Sequence, residues 1–113
     1  MAPLRMSEAQ LLSAVVKRAQ EHGWLVNHQR PAPVRPGRWL TATQGDVGFP
    51  DLVMVRHFVL FVELKSDAGR MGPGQVEWGE ALGESSRVWG STVRYAVWRP
   101  RDWRSGLIEG WLA

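Results

Sequence analysis

Asp51, Glu63 and Lys65 are the side chains whose types and spacing could act together. Glu63 and Lys65 close an apolar run, Phe58-Val59-Leu60-Phe61-Val62. Asp51, preceded by Gly48-Phe49-Pro50, opens another, Leu52-Val53-Met54-Val55. Runs that are apolar on both faces read as covered strands rather than a half-wet sheet. Residues two apart in a strand share a face, roughly 7 Å along. Glu63 and Lys65 therefore project side by side, behind Val59 and Phe61. Arg56-His57 is the only polar break between the runs, which predicts a hairpin that brings Asp51 near Glu63. Carboxylates packed together repel, and a hard divalent cation such as Mg²⁺ removes that repulsion. Such a cation also lowers the pKa of water and acts as a Lewis acid, so the expected chemistry is metal-assisted hydrolysis. The plain alternatives are a solvated strand-end ion pair for Glu63 and Lys65, which is worth little, and a turn residue for Asp51.

Together with the segment downstream, these residues carry a likeness. Pro50-Asp51, then Glu63-Leu64-Lys65, then Gln75 in Arg70-Met71-Gly72-Pro73-Gly74-Gln75-Val76-Glu77-Trp78 stand in one order. That order resembles the PD-(D/E)xK nuclease superfamily, and within it the small VRR-NUC type in its stand-alone, phage-like form. The resemblance spans roughly Ser7 to Trp103. It implies a restriction-endonuclease-like α/β fold, with a mixed sheet of about four strands flanked by helices in an αβββαβ core. It implies a Mg²⁺- or Mn²⁺-dependent nuclease that hydrolyses DNA phosphodiesters. It implies that Asp51, Glu63 and the Leu64 carbonyl hold the metal, and that Lys65 places the nucleophile or stabilises the pentavalent state. Gln75 would orient Lys65, the water or the phosphate; it also reads as an ordinary helix residue. Glu8 stands where such folds often carry a helix glutamate at the metal. Finally, the likeness implies a homodimer that sets two sites across branched DNA such as a four-way junction. The rival is a DNA-binding accessory that keeps the fold without turnover, although an intact Asp51, Glu63 and Lys65 argue against a decayed site.

The elements that position these residues can be read from local signals. Ser7 reads as an N-cap with Gln10 three residues on, a capping box. Leu11, Leu12, Val15, Val16 and Ala19 recur at helical spacing, and Gly23 ends the helix near His22. Glu8 falls in its first turn, where the macrodipole alone favours a carboxylate. Trp24 to His28 reads as a first strand. Pro31, Pro33 and Pro36 exclude helix and central strand from the next segment. It is expected to be a surface connection, or else an arm whose Arg30, Arg35 and Arg38 touch DNA phosphate, with Arg70 as a further contact. Trp39 to Thr43 reads as another strand, and Asp46 as a turn residue or supporting acid. Pro73 suits a first helical turn, with Trp78, Ala81 and Leu82 as the apolar stripe and Gly83 weakening or ending it. Thr92 to Trp98 alternates as a last strand with Val93, Tyr95 and Val97 on one side. Pro100 to Trp103 starts a short helix or turn. Leu107, Ile108, Trp111 and Leu112 form a terminal apolar patch, either core or dimer contact.

Composition narrows the classes. A chain of 113 residues holds one core, so residues 1–113 are read as one domain. Without cysteine, disulfides, thiolate catalysis and Cys-type zinc sites are excluded, in keeping with the cytoplasm of a bacterium or phage host. No apolar run approaches a membrane span, and the first residues lack a signal pattern and read as a loose leader. Fourteen basic residues against 11 acids give a net charge of +3, a weak sign of nucleic acid. However, metal binding at three of the acids would leave a more positive surface. His22, His28 and His57 show no metal-ligand spacing. Most of the seven tryptophans are expected in the core rather than stacked on bases.

Overall fold

The computed structural model describes residues 5–29, 32–40, 44–90 and 92–113, with backbone alone at 32–35, 38–40 and 89. Helix α1 covers Glu8–Glu21. Its capping box is formed, with Gln10 N–H donating to the Ser7 hydroxyl at 3.1 Å and Ser7 N–H to Gln10 Oε1 at 2.8 Å. Strand β1 covers Leu25–His28. A separate hairpin of β2 (Ala32–Arg35) and β3 (Arg38–Leu40) comes next. Strands β4 (Leu52–Val55) and β5 (Val59–Leu64) lead into helix α2 (Pro73–Trp89). Strand β6 (Val93–Trp98) and two short helices, α3 (Pro100–Arg104) and α4 (Leu107–Leu112), end the chain.

The main sheet has the order β1-β4-β5-β6. It is antiparallel except for the parallel β5–β6 pair, whose crossover is α2. Apart from the inserted hairpin and the terminal helices, this is the expected αβββαβ order with a mixed four-stranded sheet. The expected architecture, a mixed four-stranded sheet flanked by helices, is the one observed.

Alternation along the strands assigns each face. Leu52, Met54, Leu60, Val62, Leu64 and Trp98 are buried on one side with Leu11, Val15 and Ala19 of α1 and Ile108 and Leu112 of α4. The opposite face carries Phe61, Glu63 and Tyr95 beneath α2. There the Tyr95 ring lies where a Cβ on Gly79 would stand, so that glycine lets helix and sheet approach.

Two expectations are corrected and one alternative is decided. Residues 32–40 are not a plain connection but a hairpin turning at Pro36-Gly37, where Gly37 has φ +76°. The prolines keep this hairpin out of the main sheet, as their missing N–H requires. Helix α2 does not end at Gly83 but runs to Trp89, since one exposed glycine costs only about 1 kcal/mol relative to alanine. In the terminal patch, Ile108 and Leu112 are core, Trp111 packs against Phe58 and Trp98, and Leu107 stays half exposed. Arg30 and residues 41–43 lie outside the described residues, as do the side chains of Arg35, Arg38 and Trp89. No helix among the described residues is long and apolar enough to cross a membrane.

Candidate active site

The hairpin register explains why two acids meet. Leu52 pairs with Val62, which puts Asp51 opposite Glu63 at the open end of the β4–β5 ladder. The Asp51 carboxylate reaches across: its Oδ2 accepts from the Leu64 N–H at 2.8 Å. Its backbone is fixed from the other side, where the Gln29 N–H donates to the Asp51 carbonyl at 2.8 Å. Glu63 is only 2% exposed and is the one buried charged residue among those described. The Asp51 carboxyl is close enough to act directly on Glu63.

Burial alone disfavours an ionised Glu63, and the Asp51 carboxylate adds repulsion. Together they push the Glu63 carboxyl up to about 8, with Lys65 offsetting part of the effect and Glu8 adding slightly to it. Lys65 is thus close enough for its charge to be felt at Glu63, as the two-residue spacing requires. Its own backbone is anchored by an N–H bond to the Trp98 carbonyl at 3.0 Å. Arg99 holds the loop behind it, donating from Nη1 to the carbonyls of Ser66 and Gly69 at 2.7 Å each. Asp67 adds an ion pair to Arg104 at 3.0 Å.

Gln75 is placed differently from the expectation. Its Nε2 donates to Glu63 Oε1 at 3.0 Å, while its Oε1 accepts from the Gly72 N–H at 2.8 Å. The side chain is therefore both the back-bonding residue of α2's N-terminus and the clamp on Glu63, and its amide meets a carboxylate rather than Lys65. The spacing Gly72-x-x-Gln75, with Pro73 at the first helical position, is the sequence signal for the bond to Gly72. What brings α2 so near is a backbone contact. Gly48, at φ +97°, lies against Gly74; a Cβ on Gly48 would run into the Gly74 carbonyl carbon and sit 2.6 Å from Gln75 N. A Cβ on Gly74 would stand 2.6 Å from the Val47 carbonyl oxygen. Only glycine fits at either position. Phe49 packs edge-on against Phe61 and Trp78, which fixes the same loop over the sheet.

A cavity of about 380 Å³ opens beside Asp51, with Glu8, Leu12, His28, Gln29, Asp51 and Leu64 in its wall. Glu8 thus shares a cavity with Asp51. Yet no group of three His, Cys, Asp or Glu side chains among the described residues gathers closely enough to hold a metal ion. The acidic centre is a pair, Asp51 and Glu63, with Glu8 farther off. Arg70 and Asp46 are both exposed, and the Asp46 carbonyl accepts from Trp78 Nε1 at 3.3 Å. His28 and Gln29 escape sequence reasoning; nothing local marks them, because the β1–β4 register alone brings them to Asp51.

Two carboxyl groups offer oxygen donors of the kind a hard divalent cation takes. A carboxylate held at such high proton affinity beside a second carboxylate carries an excess of negative charge, which either a proton or a cation can relieve.

A solved structure described as a VRR_NUC domain superposes on this chain with a TM-score of 0.57. The match covers 88% of this chain and 92% of that one at 20% sequence identity. No family model matches the sequence, and no curated protein matches it.

Proposed function

We propose that this chain is a divalent-metal-dependent nuclease that hydrolyses DNA phosphodiester bonds. The observation that carries the reading is the buried Asp51–Glu63 pair with Lys65 alongside, on a fold shared with a VRR_NUC domain. Asp51, Glu63 and the Leu64 carbonyl would hold Mg²⁺ or Mn²⁺, with Glu8 at the cavity's far wall. The ion supplies Lewis acidity and a lowered water pKa when bound.

The chain's own residues do the rest. The Leu64 N–H and the Gln75 amide each occupy one oxygen of a carboxylate, which fixes how the pair presents its others. Lys65 brings a positive charge to the place where the phosphate gains negative charge, an electrostatic contribution that is pre-set by the Arg99-held loop. Gln75 acts as a positioning residue through Glu63.

Branched DNA is the proposed substrate and a homodimer the proposed form, at work in the cytoplasm of a bacterium or phage host. Leu25 and Val55 support the dimer. They are register partners on the sheet, exposed by 77% and 40%, and form an apolar strip that no described residue covers. Sedimentation of wild type against Leu25→Glu tests it: an unchanged mass would remove the strip from the interface. For the activity, a labelled four-way junction is incubated with Mg²⁺ and either wild type or Lys65→Ala. Cleavage by wild type alone is expected. Binding without cleavage by both would replace the enzyme with a DNA-binding accessory.

A further inference from the structure

The cavity beside Asp51 and Glu8 has Leu12 and His28 in its wall. These two residues also wall a second concavity of about 550 Å³, completed by Ser13, Val16, Lys17 and Gln20. Sharing Leu12 and His28, the two concavities lie side by side along α1 and β1, with Asp51 in the wall of one and Lys17 in the wall of the other. Nine residues of helix separate Glu8 from Lys17, about 13 Å at 1.5 Å per residue. Leu12 and Val16, one turn apart, are half-buried beside the core stripe of Leu11, Val15 and Ala19 and give the groove an apolar side. His28 adds an aromatic ring and Lys17 a cation at the far end.

This composition discriminates between forms of nucleic acid. A continuous duplex hides the faces of its bases and shows a protein phosphates and groove edges. An apolar wall is of little use to it. An unpaired strand exposes base faces, which pack on apolar and aromatic side chains while its phosphates seek cations. The groove offers both, in line with the acids where a phosphodiester would be cut. From this, and resting on the nuclease reading, we infer that the α1–β1 groove is a track for unpaired strand entering or leaving the site. Leu12 and His28 contact a base next to the scissile phosphate, and Lys17 contacts a phosphate beyond it. The substrate class is then DNA with a single-stranded arm or frayed branch, not uninterrupted duplex.

The test reads binding without turnover. Anisotropy of a short fluorescein-labelled oligothymidylate is followed in EDTA for wild type, Lys17→Gln, Lys17→Glu, Leu12→Asp and, as a control for net charge, Arg87→Glu at the far end of α2. Leu12→Asp is expected to weaken binding about tenfold, as loss of one base contact of about 1–3 kcal/mol would, and Lys17→Glu by about as much, through a lost phosphate contact and added repulsion. Arg87→Glu is expected to change it far less. Lys17→Gln should lower the slope of log affinity against log salt by about 0.7, one phosphate on a single strand. A blunt duplex should bind more weakly and be insensitive to Leu12→Asp. Unchanged affinity in the two Lys17 variants, whose exposed position leaves folding intact, would overturn the track. Equal sensitivity of the duplex would overturn it too. So would a Leu12→Asp variant that binds normally but halves the sedimenting mass, since the groove would then be a contact between copies. The two readings separate cleanly: normal groove binding without cleavage under Mg²⁺ sinks the nuclease alone, and cleavage indifferent to Lys17 and Leu12 sinks the track alone.

Discussion

Two glutamates in this protein show how partners decide what a carboxylate is for. Glu109 on α4 is met by cations. Arg18 donates to it from Nε at 2.8 Å and Nη2 at 2.6 Å, and His22 Nε2 lies 2.8 Å away. Those bonds hold its carboxyl down at about 2 and join α1 to α4. Glu63 is buried, faces another carboxylate and receives its hydrogen bond from a neutral amide. It is pushed the other way, to about 8. The first is a satisfied structural link, and the second is a buried acid whose ionised form only Lys65 offsets in part. Perturbed carboxylates of the second kind concentrate where proteins bind ions and react.

The sharpest way to break this contrast is mutation of each site in turn. Lys65→Ala and Glu63→Gln are expected to lower Mg²⁺-dependent junction cleavage by roughly 10³-fold, the upper range for losing one pre-set electrostatic contact. Glu109→Gln should leave cleavage unchanged; an equal loss there would erase the distinction. Glu63→Gln should also melt no lower than wild type in EDTA, because a neutral amide needs no proton taken up on folding.

Next in size is the backbone that supports Glu63. Gly48→Ala combines a strained φ of +97° with a collision at Gly74. It should cost about 2 kcal/mol, or about 8 °C in Tm by calorimetry. Cleavage should fall with it, as Gln75 is drawn away from Glu63.

Proton linkage sharpens the contrast further. The folded state holds the Glu63 proton more tightly than the unfolded chain, whose carboxyl has its ordinary value near 4.5. Unfolding between those values releases a proton, so stability in EDTA should fall as pH rises from about 5 towards 8. Glu109 has the opposite sign. Its folded value lies below the ordinary one, so its contribution is present above about 4.5 and disappears as pH falls towards 2. Urea melts across pH should show the upper slope lost in Glu63→Gln and the lower slope lost in Glu109→Gln. Saturating Mg²⁺ should flatten only the upper one.

The smallest effect is Glu109→Gln at neutral pH. Its ion pairs are partly exposed, so the loss of stability should be slight and should shrink with added salt.

Much of this is legible in the residues. The apolar runs on either side of Arg56-His57 specify a hairpin, and hairpin register leaves little freedom in where Asp51 and Glu63 stand. Ser7 with Gln10, and Pro73 at a first turn, mark helix starts by mechanisms local to a few residues. The failures share a cause. The β2–β3 pairing, the bond from Gln75 to Glu63, and the arrival of His28 beside Asp51 all depend on which distant segments lie side by side. Gly83 misleads in the reverse sense, since a local weakness is overridden by α2 docking on β6.

The Gly48–Gly74 contact has a consequence for what the β4–β5 hairpin can do by itself. Asp51 and Glu63 are set opposite each other within that hairpin, but the amide that holds Glu63 arrives from α2. A fragment that keeps the hairpin and lacks the helix therefore keeps both acids and loses the clamp.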